Sequence, residues 1–597
     1  MSKDKRGKEK QVRKPNFLIL MVDQERYPSV YETDEMKKWR KESLVAQELL
    51  KENGMEFQRH YAGSTACSPS RTTLYTGQYP SLHGVTQTSG AAKTSYDPDM
   101  FWLDPNSVPT FGHYFRAAGY KTYWKGKWHA SEEDILIPGT KNAYASYSQT
   151  GVPVPEKVKR YLLSDRLNQY GFSGWIGPEP HGSSPRNTGS SAAIGVEGRD
   201  QIYADEAVEL IQSLDKDRDQ CPWLVMCSFV NPHDIAVYGE LTELSPLFNF
   251  QIDPTLPDIP KAPTSNESLN TKPDAQKSYK RTYPKALQPL RDDLFYRQLY
   301  YSLQKKADNE MLKVFQALQQ SSFYEDTIVL FLSDHGELLG AHGGLYQKWY
   351  NTYEESIHVP LIIHSPKLFS DREQTDMITS HVDVLPTLLG LAGVDPERIQ
   401  RELVKSHTEV HPLVGRDLSP LLKGKTQFFR SNEPVYFMSD DDVTRGLNQV
   451  SAAGDPYESV VQPNHIESII TTLSTGKDRT EEVWKLSRYY DNPQFWSNPG
   501  VEDQTLRQDR NSYTDCHVEV DLCITETKDQ PVPDQYELYN LSQDPLEEKN
   551  LANISYQTPE SLVIMNLLIS ALEEQCRQKR LSPSSGSVPG MPSCNDT

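Results

Sequence analysis

The chain has 597 residues, with 62 Lys and Arg against 82 Asp and Glu, a formal net charge of -20. This acidic balance opposes tight binding to nucleic acid or to an anionic membrane, because phosphates are repelled rather than neutralised. The length is enough to bury a large core and predicts one large domain with a smaller one beside it.

In chain order, residues 1–14 carry a basic run (Lys3, Lys5, Arg6, Lys8, Lys10, Arg13 and Lys14) that reads as a disordered tail. The apolar stretch 17–22 is too short for a signal-peptide core of about 7–15 residues, lacks a small-residue cleavage site and ends in Asp23, Gln24 and Glu25. No later segment approaches the roughly 18 consecutive apolar residues that span a bilayer. The expectation is therefore a cytoplasmic protein with no signal peptide and no membrane partner. Seven cysteines, few and odd in number, argue against a disulfide framework, and Cys221 and Cys227 read as structural thiols.

Segments 17–22, 223–230, 327–332 and 359–363 are apolar and β-branched or aromatic, as buried parallel strands are. Leu299, Leu303, Ala307, Met311, Val314 and Leu318 recur at spacings of three and four, which puts one apolar stripe on a helix. Residues 253–289, rich in Pro, Lys, Ser and Asn, read as a long surface excursion able to cover the site. After Leu422, short strands at 435–438, 469–473 and 536–540 lie among loops, before a last helix carrying Leu562, Leu567, Leu568 and Leu572. The end of the chain, 581–597, is rich in Ser, Pro and Gly and reads as disordered.

This order predicts an α/β fold. A large mixed, mostly parallel sheet with helices on both faces occupies 15–425, and a smaller C-terminal α+β subdomain, an antiparallel sheet plus a helix, occupies 426–580. In such sheets ligands sit beyond the carboxyl ends of the strands. Asp23 and Asp334 each follow one of the predicted strands directly.

The run Cys67-Ser68-Pro69-Ser70-Arg71, continuing Thr72-Thr73-Leu74-Tyr75-Thr76-Gly77, resembles the signature of the type I, formylglycine-dependent sulfatases of the alkaline phosphatase superfamily. The resemblance implies that a formylglycine-generating maturation enzyme is a partner and oxidises Cys67 to formylglycine (3-oxoalanine). One hydroxyl of the hydrated aldehyde then attacks sulfur and expels the alcohol, and deprotonation of the second hydroxyl releases sulfate. Arg71 would stabilise the nucleophile through a charge-assisted hydrogen bond.

The same resemblance implies a single divalent metal held by Asp23, Asp334, His335 and an oxygen derived from Cys67. Ca2+ is the expected ion, with Mn2+ as the alternative that an imidazole ligand favours. Many relatives carry Asp-Asp and Asp-Asn at the two metal pairs, whereas Asp23-Gln24 and Asp334-His335 look like the branch of choline sulfatases and phosphonate monoester hydrolases. Gln24 is thereby left open as a ligand.

Gly126-Lys127-Trp128-His129 resembles the family's Gly-Lys-x-His motif. Lys127 would contact formylglycine and a sulfate oxygen, and His129 would deprotonate the second hydroxyl. Alternation along an extended segment would aim both side chains the same way. Phosphonate monoester hydrolases generally have neutral residues here, so this pair favours sulfate esters. By the same resemblance His233, in Asn231-Pro232-His233-Asp234, protonates the leaving alcohol, and Lys348 binds sulfate. His358 stands where the family often has arginine.

The expected substrate is a small-molecule sulfate ester. A phosphonate monoester or phosphodiester hydrolase on the same fold is the alternative, and a non-catalytic ligand-binding homologue the third reading. The alcohol is expected to be chosen by loops, including 253–289 and the aromatic region around Trp484, Tyr489 and Trp496.

Overall fold

Strands with no polar face have to be covered on both sides. In β1 (Asn16–Asp23), Phe17, Ile19 and Met21 enter one apolar core while Leu18, Leu20 and Val22 enter a second. The computed structural model describes residues 14–90, 92–180, 184–217, 221–425, 433–445, 449–495, 503–507, 522–526 and 530–584. The predicted tails fall almost wholly outside that range.

With β1 run β2 (Gly54–Tyr61), β3 (Lys121–Gly126), β4 (Trp223–Pro232), β5 (Thr327–Ser333), β6 (His358–Val359), β7 (Leu361–His364) and β8 (Glu373–Ser380). They form one sheet in the order β3-β4-β1-β5-β7-β2-β6, with β8 also against β2. β3, β4, β1 and β5 are parallel neighbours. The expected parallel strand at 359–363 is different: Pro360, which has no N–H to give a ladder, divides it into β6 and β7. Both pair antiparallel with β2, and β7 is antiparallel to β5.

Helices cover both faces, as expected. α1 (Val45–Glu52), α3 (Arg199–Lys216) and α5 (Leu294–Gln319) supply one core through residues such as Leu50, Ile211 and Met311. On the other face lie α2 (Cys67–Thr76), through Leu74 and Tyr75, and α6 (Val384–Leu391), through Leu385 and Leu388. α4 (Asp274–Ala286) comes between α3 and α5 in sequence. It overturns the reading of 253–289 as a surface excursion: Ala275, Tyr279 and Tyr283, spaced by four, turn one face into a buried cluster with Tyr350, Tyr353 and Tyr539.

The C-terminal part is the expected antiparallel sheet plus helix. β9 (Val435–Ser439), β10 (His465–Leu473) and β11 (Glu482–Tyr490) precede a two-stranded pair, β12 (Asp503–Arg507) with β13 (Leu522–Glu526), and then β14 (Gln535–Asn540). The four-stranded order is β14-β11-β10-β9. One face packs on α7 (Pro559–Lys579) and the other on Tyr61, Ile357 and Ile378 of the large domain. α7 buries Ile564, Leu568 and Leu572, whereas Leu562 and Leu567 on the same helix are 41% and 55% exposed. Cys576 on this helix is disulfide-bonded. Of the two predicted structural thiols, Cys227 is buried and Cys221 is exposed.

Buried charges meet opposite charges, Lys485 across the two parts and His342 within the large domain. Lys485 of β11 lies 2.9 Å from Glu354 and 2.7 Å from Glu547, and His342 sits between Glu267 at 3.2 Å and Glu355 at 3.4 Å. No helix among the described residues is long and apolar enough to cross a membrane.

Candidate active site

Four parallel strands deliver the site from their carboxyl ends. In the order β3, β4, β1, β5 these ends lead to Lys127, His233, Asp23 and Asp334, so adjacent strands place the four residues side by side. α2 begins at Cys67 over the same edge, and every residue of its single buried run, including Arg71, is inaccessible. Gly126 is required where β3 turns: its φ is +88°, and an added Cβ would lie 2.0 Å from the Ser228 carbonyl oxygen.

Around Cys67 the ligand atoms converge. Its Sγ lies 3.0 Å from His335 Nε2 and 3.8 Å from Asp23 Oδ1. Donor atoms of Asp23, Cys67, Asp334 and His335 all fall within 4.8 Å of one another, and all four residues are buried. This is the set expected from the sequence. His335 Nδ1 lies 3.0 Å from the Gly336 carbonyl oxygen, which places the ring proton on Nδ1 and leaves the Nε2 lone pair facing the cluster. Burial, reinforced by Lys348, lowers the His335 pKa, so that ring is neutral. Two carboxylates, one neutral imidazole and a residue-67 oxygen fit a divalent cation.

Cationic side chains surround the carboxylates. The Arg71 guanidinium forks, Nη2 donating to Asp23 Oδ2 at 2.9 Å and Nε to Asp334 Oδ2 at 2.8 Å, while Nη1 donates to Ser228 Oγ at 2.9 Å. Lys127 Nζ donates to Asp23 Oδ2 at 2.6 Å. Burial alone would raise the Asp23 pKa, but the charges of Lys127 and Arg71 beside it hold it well below the usual carboxylate range. Burial and the Asp23 charge push the Cys67 thiol up to about 12. An unmodified Cys67 is thus a neutral thiol at physiological pH and a poor nucleophile. Burial, reinforced by Lys127, keeps His233 well below the ordinary imidazole value.

Lys348 joins through Gln24, its Nζ donating to Oε1 at 2.8 Å. His129 is not positioned in the way expected. β3 ends at Gly126 and His129 has φ +55°, so Lys127 and His129 do not alternate on a strand. Instead the Glu179 carboxylate accepts the backbone N–H groups of both Trp128 and His129 at 3.0 Å, and His129 Nε2 lies 3.3 Å from Ser89 Oγ.

Several supporting residues carried no sequence signal, Ser228, Glu179 and Asp441 among them. Asp441 accepts from Ala66 N at 3.2 Å, directly before Cys67, and from Trp349 Nε1 at 3.0 Å, directly after Lys348. Glu337 and Gln347, by contrast, adjoin motifs that were recognised. His358 is a packing residue, stacked 4.3 Å from Tyr27 and 5.0 Å from Tyr61, with Nδ1 3.0 Å from Glu354. Trp484 lies in the core beneath α7, and the Tyr489 hydroxyl donates to Glu537 at 2.6 Å, so neither forms the expected open substrate loop. Trp496 lies outside the described residues.

Comparison with known proteins points to one family. The sulfatase family model matches residues 15–394. The chain is 28% identical over 501 residues to an uncharacterized sulfatase, YidJ, of Escherichia coli K12, covering 80% of this chain and 88% of that protein. It is 25% identical over 408 residues to the choline-sulfatase of Rhizobium meliloti, covering 65% and 69%. Among solved structures, a 2-O GAG sulfatase superposes with a TM-score of 0.59 at 19% identity, covering 98% of this chain and 96% of that one.

Proposed function

The chain belongs to the sulfatase family and is a sulfuric ester hydrolase, and from that premise we propose that it cleaves sulfate monoesters to alcohol and sulfate at residue 67, matured to formylglycine. The observation that carries this reading is the convergence of Asp23, Asp334, His335, Arg71 and Lys127 on Cys67 at the strand ends. A thiol whose pKa is pushed up to about 12 has little nucleophilic use there, which supports modification by a formylglycine-generating enzyme. As a hydrated aldehyde, residue 67 supplies one hydroxyl to displace the alcohol from sulfur and a second whose deprotonation frees the sulfate.

Asp23, Asp334 and His335, with a residue-67 oxygen, would hold one divalent cation, Ca2+ or Mn2+, which supplies Lewis-acid charge at the reacting centre. Arg71 and Lys127 orient the Asp23 carboxylate and concentrate positive charge where the sulfate group sits. Lys348 binds a sulfate oxygen. His129 takes the proton from the second hydroxyl, and His233 gives one to the leaving alcohol once the bound anion raises its depressed pKa. Residues 15–425 form the catalytic domain in this reading and 426–580 the subdomain packed against it.

A phosphonate monoester hydrolase is the second reading, favoured by Gln24 and His335 and opposed by the charged pair Lys127 and His129. Catalytic efficiencies of the matured, metal-loaded enzyme on 4-nitrophenyl sulfate and on 4-nitrophenyl phenylphosphonate separate the two. Preference for the sulfate is expected, and a large phosphonate preference would replace the first reading by the second.

A further inference from the structure

The chain leaving β9 carries an acidic run, Asp440-Asp441-Asp442, and all three residues are buried. Two of them are held by their surroundings. Asp440 Oδ1 lies 3.0 Å from His465 Nδ1, and Asp442 accepts from the Tyr350 hydroxyl and from Asn464 Nδ2. Asp441 turns instead to the large domain and collects donors from three separate segments. Its Oδ2 accepts from Ala66 N at 3.2 Å and from Trp349 Nε1 at 3.0 Å, and its Oδ1 accepts from Thr88 N at 3.1 Å.

Each donor stands one residue from a group at the site. Ala66 precedes Cys67, Trp349 follows Lys348, and Thr88 precedes Ser89, whose Oγ lies 3.3 Å from His129 Nε2. Flanking contacts tighten the same junction: Ser439 Oγ donates to Thr65 O at 2.7 Å, and Asp442 N donates to Gln87 Oε1 at 3.0 Å. The residue type follows from the donors. A carboxylate offers only acceptors and takes three N–H groups at once, whereas an amide would turn N–H bonds of its own toward one side. A buried N–H deprived of its acceptor is costly, so each segment is drawn to the carboxylate.

We propose that Asp441 is a positioning residue: supplied by the C-terminal part, it fixes the start of α2, the Lys348 segment and the Ser89 segment relative to one another, so that residue 67, Lys348 and His129 meet one sulfate group. The roles of those three groups rest on the proposed function, and the three-way brace rests on the geometry.

The test is a double-mutant cycle between Asp441→Ala and Trp349→Phe in the matured, metal-loaded enzyme, with kcat on 4-nitrophenyl sulfate expressed per formylglycine-bearing molecule. Trp349→Phe keeps a ring beside Lys348 and removes the indole N–H. Expected are a fall in kcat of about a hundredfold for Asp441→Ala, a smaller fall for Asp441→Asn, which keeps one acceptor, and a loss from Trp349→Phe that disappears when Asp441→Ala is already present. Wild-type kcat in Asp441→Ala, or the same Trp349→Phe loss in both backgrounds, would overturn the brace. Should Asp441→Ala fold poorly, Asp441→Leu, which keeps the branched shape without acceptors, takes its place under the same outcomes. A wild-type enzyme inert on sulfate esters would instead sink the proposed function. Hydrogen exchange then decides the brace by itself: faster exchange of the Ala66 and Thr88 amides in the Asp441 variant supports it, and unchanged exchange overturns it.

Discussion

Replacing Arg71 by Met tests how the site is held together. The guanidinium is fully buried and joins Asp23 at 2.9 Å to Asp334 at 2.8 Å, both carboxylates also fully buried. Removing one partner of a buried pair costs about 3–5 kcal/mol, because the remaining charge is left uncompensated. With an unfolding entropy of about 2.1 cal/mol/K per residue, about 4 kcal/mol across this chain lowers Tm by about 3 °C. Differential scanning calorimetry in chelator should show that drop for Arg71→Met. It should show most of it for Arg71→Lys as well, since an ammonium cannot fork between two carboxylates. Added Ca2+ should narrow the gap, because the cation gives Asp23 and Asp334 the countercharge that the arginine supplied. An unchanged Tm in chelator, or a gap that widens with Ca2+, would refute the reasoning.

Other outcomes follow from the same structure. Glu267 and Glu355 overcome burial to raise the His342 pKa from 6.5 to about 9. That stabilisation is present below pH 6.5 and is lost as pH rises through about 9; a shift of this size corresponds to about 3 kcal/mol. Urea unfolding of wild type and His342→Gln should therefore show a gap at pH 6 that shrinks by about that amount at pH 10. A gap independent of pH would contradict it. The Asp308 carboxylate caps α1 by accepting from Ala46 N at 2.8 Å and Gln47 N at 3.0 Å, so Asp308→Ala should cost about 1–2 kcal/mol in the same assay. Gly126→Ala forces a Cβ against the Ser228 carbonyl and should displace Lys127, with a fall in kcat/KM larger than the fall in Tm explains; full activity would show the turn to be forgiving.

The central sheet was legible because β1, β4 and β5 are apolar on both faces, a pattern few other environments allow. Asp23 and Asp334 were legible as strand-end acids for the same reason. The helix α4 was missed since its polar residues dominate the composition, while its spaced tyrosines, which set its place, lie on one face. β6 and β7 were merged because a periodic reading passes over a single proline. In the site, motif residues came through and their braces did not: Ser228, Glu179 and Asp441 are brought in by tertiary contacts more than 40 residues away, which no local pattern reports. Lys127 and His129 were read as alternating on one extended segment, but β3 ends at Gly126 and His129 has φ +55°, a turn that side-chain alternation does not anticipate.

The most direct test of formylglycine-dependent sulfate ester hydrolysis is turnover of 4-nitrophenyl sulfate by metal-loaded wild type and Cys67→Ala, each co-expressed with a formylglycine-generating enzyme. The account predicts hydrolysis by the wild type and none by Cys67→Ala. Turnover that survives in Cys67→Ala would contradict it.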